Sequence, residues 1–499
     1  MTAAKSAIEG LEPASVFKLF EKISQIPRGS KKETAISEYI RSRAEECGLA
    51  VRSDKAGNLC IAVAATPGCE GAPIVVLQGH VDMVQEKNAD TEFDFDKDPI
   101  RLVRDGNWLK ADGTTLGADN GLGVAAALAI AFDQDKKYTH GPLEILLTMD
   151  EETGLTGATN LSEQLVKGRI LINLDSEETG ILYIGCAGGA GIETRLPIEW
   201  TAPGEGQTAV RLHLTGLRGG HSGANIHENR GNAVKLLART ILALKNQVGA
   251  QLADFRAGDK HNAIPREGTA ILVVDEEKLA QARVAVWGKL AELRDEYPDD
   301  KDLGVTIDET DLPERMFTAA SRDKALDLLL ALPNGVLAMS REIAGLVETS
   351  TNVAAAHVDG LVLKIGNSPR SSQRSAMRGV INQTLAVCRL AGSPAEVTGE
   401  YPGWQPKPDA AIVKLVAKAH EEVLGAAPKI KAIHAGLECG IIGEKFKGMD
   451  MISFGPDIIN AHSPDEAAKI PSVEPFFKLL TDVLARVGQG AYPAKATEG

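Results

Sequence analysis

No stretch of this chain is apolar for long enough to cross a bilayer. The longest run, residues 124–132, falls well short of the roughly 20 residues a spanning helix needs. Positive charge is also in deficit. Lys and Arg number 54 against 68 Asp and Glu, a net charge of −14, which argues against a nucleic-acid or anionic-membrane surface and leaves small molecules or cations as partners. Cysteine is sparse and scattered: Cys47, Cys60, Cys69, Cys186, Cys388 and Cys439 include no C-x-x-C pair. Neither a disulfide framework nor a thiolate zinc site is signalled, and all six are expected to be reduced and structural. The opening segment MTAAKSAIEGLEP has no basic start, apolar stretch or small-residue cleavage site, and so reads as a cytoplasmic protein without a secretory leader.

What is present is an ordinary globular composition, with 499 residues, 43% of them apolar and 24% charged. At about 150 residues per domain, that length predicts two or three domains. Apolar, β-branched-rich segments at 60–65, 73–78, 143–149 and 170–175 read as buried strands, and segments 16–26, 35–47 and 123–132 as helices between them. The alternation predicts an α/β fold with a mixed, mostly parallel sheet covered by helices. A strand at 451–455 and a helix at 471–487 would complete it. Near 202–207 the loop TAPGEGQ gives way to the alternating VRLHLTGL, a half-exposed strand, so a second αβ domain is expected to be inserted there as a lid or dimerisation domain. The expected layout is a catalytic domain at 1–206, the insertion at 207–400 and the rest of the catalytic domain at 401–499. Two strand–turn–helix passages of similar pattern, 209–247 and 361–391, raise an internal duplication within the insertion.

The chemistry-bearing residues cluster at predicted strand ends. His80 and Asp82 follow the strand at 73–78 in GHVDMV, where open α/β sheets place ligand sites. Asp119, in LGADNGLG, precedes an apolar helix and could simply cap it. Asp150, Glu151 and Glu152 follow the strand at 143–149, and three adjacent carboxylates repel one another unless a cation or solvent relieves them. Asp175 closes ILINLD, and His462 lies in NAHSPDE after the last strand. Imidazole and carboxylate donors suit zinc, manganese or cobalt, and their wide sequence spread implies a site assembled by the fold rather than by a local finger. A two-metal site needs a shared carboxylate, for which Asp119 is the candidate.

The ordered motifs GHVDMV, GADNG, DEETG, NLDSEE, HSG and AHSPDE closely resemble those of the co-catalytic zinc peptidases of the carboxypeptidase G, aminoacylase and carnosinase clan. HNAIPRE at 261–267, NSPRSS at 367–372 and HAGLECG at 434–440 look most like the dipeptidase branch of that clan. The resemblance implies two Zn²⁺ per subunit, replaceable by Co²⁺ or Mn²⁺. Glu152 and His462 would hold one ion and His80 and Asp175 the other, with Asp119 bridging. It further implies Asp82 as the hydrogen-bond partner that fixes the His80 tautomer, Glu151 as general base and His221 as the donor to the oxyanion. Asn262 and Arg370 would bind substrate, Arg370 through its carboxylate, with His434 and Glu438 lining the pocket. The implied enzyme is a homodimeric dipeptidase acting on free-amino dipeptides, including Xaa-His. An N-acyl amino acid deacylase runs on the same chemistry and stays open. A non-enzymatic metal-binding protein is disfavoured by Glu151, which a mere carrier would not need. No phosphate-cradling Gly/Lys loop supports a phosphoesterase.

Overall fold

The computed structural model describes residues 6–493; residues 1–5 of the opening segment read above lie outside them. The chain divides into two compact units: Met1–Gly185 with Trp404–Ala432 and Leu437–Gly499, and Cys186–Gly403 with Ile433–Gly436. Among the described residues no helix is long and apolar enough to cross a membrane, and none of the six cysteines is joined in a disulfide.

The first unit is built on an eight-stranded sheet. At its centre Val75–His80 runs parallel to Leu143–Thr148 on one side and Ile170–Asn173 on the other, and Asp450–Ser453 extends the parallel set. These strands are largely apolar because both faces are covered; Val75, Val76 and Leu77 are at most 1% exposed. One covering helix, Ala118–Ala131, is buried on nearly every side, as its apolar sequence demands, and packs on Ala14–Ser24. Helix Ile470–Gly488 packs on Ala411–Leu424.

The mostly parallel expectation therefore describes the centre of the sheet, while its flanks are antiparallel. Leu59–Val63 pairs antiparallel with Leu143–Thr148 and with Ala50–Ser53. For the pair with Ala50–Ser53 the reason is local: in the turn after Ser53, Asp54 accepts the amides of Ala56 and Asn58, and Gly57 takes a φ of +91°, so the chain reverses at once. A tight turn of this kind can only join antiparallel strands. Because the four central strands are parallel, their C-terminal ends share one edge of the sheet. From that edge leave His80, the turn 149–155, Asp175 and the segment leading to His462.

The second unit holds a nine-stranded sheet whose pairs are antiparallel. Helices Ala233–Val248, Leu279–Glu296 and Ala319–Ala331 contribute to its main core with Leu212, Phe255 and Leu272 from the strands. The unit begins at Cys186, ahead of the expected 207. Strand Gly188–Pro197 pairs with Val362–Ser371 and Ala395–Tyr401, and TAPGEGQ is a connection within the unit. That strand opens on glycines and then alternates buried and exposed residues, a half-covered pattern that the glycines conceal in sequence. Both strand–turn–helix passages occur in this unit, as Gln207–Thr215 with Ala233–Val248 and as Val362–Ser371 with Arg374–Leu390.

Candidate active site and metal centre

His80 is the last residue of its strand, not the first beyond it, and is 1% exposed. Its Nδ1 lies 3.4 Å from Oδ1 of the fully buried Asp82. The same carboxylate accepts the Ser30 hydroxyl at 2.8 Å and the backbone N–H groups of Glu151 and Glu152 at 3.0 and 3.2 Å. Asp82 thus ties the His80 strand end to the acidic turn. Burial pushes its pKa up, but the imidazole of His80 and these donors outweigh that and hold it at about 2.

Asp119 lies between two imidazoles. His80 Nε2 stands 3.1 Å from Asp119 Oδ1, and His462 Nε2 stands 3.0 Å from Oδ2. Each imidazole meets a second carboxylate: His80 Nε2 is 3.3 Å from Asp175 Oδ1, and His462 Nε2 is 3.0 Å from Glu152 Oε2. The donors therefore fall into two halves, His80 with Asp175 and His462 with Glu152, joined through the two oxygens of Asp119. Asp119 sits in the first turn of its helix with non-helical backbone angles, and its side chain caps nothing there; Gly117 occupies the N-cap position.

Electrostatics mark the same cluster. Burial raises the Asp175 carboxyl to about 7, with Asp119 adding to the rise and His80 opposing it. Glu151 is pushed well above the carboxylate range by burial and by the charges of Asp175, Glu438 and Glu152, against the pull of His80. The Asp119 and Glu152 carboxylates lift His462 to about 11. A buried surplus of carboxylates over imidazoles calls for a cation. The donors fit one. His80, Asp119 and Glu152 offer ligand atoms within 4.8 Å of one another, and Glu152 Oε1 is buried without a hydrogen-bond partner. Tetrahedral ligands about 2.0 Å from zinc stand roughly 3.3 Å apart, close to the 3.0–3.3 Å contacts seen here.

Three supports were not singled out from sequence. Glu466 is 2% exposed, and its carboxylate accepts the N–H groups of Leu116, Gly117, Ala118 and Asp119 at 2.8–3.3 Å, fixing the backbone that presents Asp119. It stands inside the NAHSPDE motif, four residues after His462, so its signal was adjacency alone. The buried Arg28 donates to the carbonyls of Val81, Asp82 and Gly117. Beneath the strand ends, Gln78 donates to Glu438 at 2.5 Å and accepts from Asn173 at 2.6 Å, while Ser453 donates to Asn173 at 2.5 Å. Glu438 itself is fully buried, and its Oε2 also accepts the Thr148 hydroxyl at 2.6 Å.

The remaining candidates belong to the second unit. His221 Nδ1 accepts the amides of Gly223 and Ala224 at 3.2 and 3.0 Å. That leaves the proton of the neutral ring on Nε2. Burial, with Arg370 adding to it, lowers its pKa to about 4. Arg370 is 8% exposed, donates to the Tyr401 hydroxyl at 3.2 Å, and keeps a buried Nε without a partner. His434 is bonded to the Ser350 hydroxyl at 2.7 Å, and burial and Arg370 lower it to about 3. Asn262 is exposed on the turn before Ala263–Ile264, where its carbonyl accepts the Ser222 amide at 2.8 Å.

The sequence model of peptidase family M20/M25/M40 matches residues 76–486. The cytosol non-specific dipeptidase of Escherichia coli is 41% identical over 97% of this chain and 99% of its own. The crystal structure of an aminoacylhistidine dipeptidase from Vibrio alginolyticus superposes with a TM-score of 0.90 at 41% identity, covering 99% of this chain and 100% of that one. A tripeptidase from Staphylococcus aureus shares the fold at 16% identity, with a TM-score of 0.56 over 96% of this chain and 99% of its own.

The part played by Glu466 is open to direct test. Glu466→Ala leaves buried N–H groups without an acceptor at the turn that aims Asp119, so metal affinity, measured by competition with a chromophoric chelator, should fall by about 10- to 100-fold. An unchanged affinity would make Glu466 a purely structural cap.

Proposed function

The chain belongs to peptidase family M20/M25/M40 and is a peptide hydrolase; from that premise we propose that it cleaves dipeptides with a free amino terminus, with broad specificity that includes Xaa-His. The observation that carries this reading is the two-sided donor array on the oxygens of Asp119. His80 and Asp175 would hold one ion and His462 and Glu152 the other, with Asp119 available to both. Two Zn²⁺ per subunit suit these donors, with Co²⁺ or Mn²⁺ able to substitute. Bound, such ions would supply Lewis acidity to the scissile carbonyl and acidity to the attacking water.

This chain's own residues supply the rest. Asp82 stands 3.4 Å from His80 Nδ1 and accepts the amides of Glu151 and Glu152, so one buried carboxylate neighbours both a ligand and the base and can orient them. Glu151 takes the proton of the attacking water as its oxygen bonds to the carbonyl carbon, and returns it to the nitrogen as the C–N bond breaks. Its burial favours the protonated form that must exist between those steps. His221, neutral and protonated on Nε2, donates to the carbonyl oxygen as charge collects there. Arg370 grips the terminal carboxylate, with Asn262 and His434 beside it in the substrate site, and Glu438 braces the floor from below. The inserted unit acts as a lid whose closure completes the site. The reading extends to a homodimer in the cytoplasm, the compartment being supported by the name of the Escherichia coli relative.

Glu151→Gln keeps size and hydrogen bonding but removes the base. Its kcat should fall by about 10² to 10⁴ with metal content unchanged, whereas Glu152→Gln should lose metal, as elemental analysis of the two purified variants would show. The opposite pattern would reverse the two assignments.

Arg370→Ala should mainly raise KM for free dipeptides and barely alter the already poor turnover of C-terminally amidated ones, which offer no carboxylate. Equal losses on acid and amide substrates, across a panel that also includes N-blocked dipeptides, would remove Arg370 from the carboxylate role. Preferred turnover of the N-blocked members would favour a deacylase.

A further inference from the structure

The second unit carries a concavity that the hydrolytic chemistry does not use. Leu212, Leu214, Phe255, Ala257, Ala270 and Leu272 turn inward to the main core. Strand alternation then sends His213, Thr269 and Arg256 to the opposite face. The register sets these three directly across from one another on adjacent strands, His213 opposite Thr269 and Thr269 opposite Arg256. A cleft of about 640 Å³ opens over this row. Arg218, Gly219 and Gly220 form one wall, and the turn bearing Lys260 and Arg266 forms another. The walls meet in a short ribbon in which Gly220–His221 pairs with Ala263–Ile264.

The charge of this cleft runs against that of the chain. Acids outnumber cations by 68 to 54 in the whole sequence, yet four cationic side chains gather around one concavity. Arg218 is paired to Glu228 at 2.7 Å. Among the described residues no ion pair engages Arg256, Lys260 or Arg266. Asp259 and Glu267 also line the cleft without pairing to them. Like charges held around a hollow repel, and although Asp259 and Glu267 share the lining and Asp254 acts on Arg256, none of them forms an ion pair with Arg256, Lys260 or Arg266, so the repulsion is relieved only in part. An anion in the hollow would relieve that repulsion, with guanidinium forks to bind it and Thr269 as a neutral donor.

We propose that this cleft is a binding site for a small organic molecule carrying two or more anionic groups, of the phosphate-ester class. Two separated anionic groups match cations that arise from both the sheet floor and the loop wall. The volume lies within the range of about 300–1,000 Å³ typical of small-molecule sites and exceeds what a lone inorganic phosphate fills.

The test uses the full metal-loaded chain and two probes, fructose 1,6-bisphosphate and inorganic phosphate, titrated by calorimetry. The bisphosphate should bind one to one, more tightly than phosphate, and more weakly as salt rises. Arg256→Gln combined with Lys260→Gln should weaken it by about tenfold or more, with dipeptide turnover in the absence of probe unchanged. Hydrogen exchange should show protection at Gly219–His221 and Ala263–Ile264. The proposal is overturned if neither probe binds, if phosphate binds as tightly as the bisphosphate, if the double variant binds as well as the parent, or if protection appears instead in the turn of Glu151 and Glu152.

Discussion

The first unit is organised around an electrostatic constraint: Asp119, Glu152, Asp175 and Glu151 are gathered at one sheet edge, answered by two imidazoles and the nearby guanidinium of Arg28. Burying that many carboxylates is costly unless cations and directed hydrogen bonds compensate. Much of the surrounding structure supplies such compensation. Glu466 binds four successive amides at the turn of Asp119, Asp82 binds the amides of the acidic turn, and Arg28 clamps the carbonyls of Val81, Asp82 and Gly117. The parallel strands place the donors on one edge, and these buried polar groups set their angles. The proposed cation pair would supply the remaining compensation, which is why the donor geometry and the hydrolytic proposal stand together.

Much of this was legible in the sequence, for physical reasons. Buried parallel strands read as largely apolar runs, and the polar residues that end them are conspicuous against that background, so His80, the acidic turn at 150–152, Asp175 and His462 stood out, while the division of ligands among them, with Asp119, rested on the resemblance of the ordered motifs. Arg28 and Glu466 did not stand out. Their work is done through backbone atoms, and a side chain bonded to a distant amide or carbonyl leaves no spacing pattern. The flanking strand Leu59–Val63 was found but its direction was not, since direction depends on the turn at Asp54–Gly57 and not on the strand's own composition. The unit boundary at Cys186 was missed because the glycines of GGAGIETRLP mask its alternation.

The second unit treats its polar groups differently. His221 and His434 are held neutral by burial and by the nearness of Arg370, and His221 is further fixed in one tautomer by two backbone amides. A neutral donor of known tautomer suits a role that begins at a carbonyl oxygen and strengthens as that oxygen gains charge. The spacing of GGHSG showed a turn histidine but not which nitrogen would carry the proton. That follows from the fold of Gly223 and Ala224 back onto the ring.

The central claim, that Asp119 joins two ion sites through its separate oxygens, is tested most directly by anomalous diffraction at the zinc edge from crystals of the zinc-loaded protein. The account predicts two peaks about 3.5–4 Å apart, one beside His80 and Asp175 and the other beside Glu152 and His462, with one Asp119 oxygen on each. A single peak, or two peaks with Asp119 bound to only one, would contradict it.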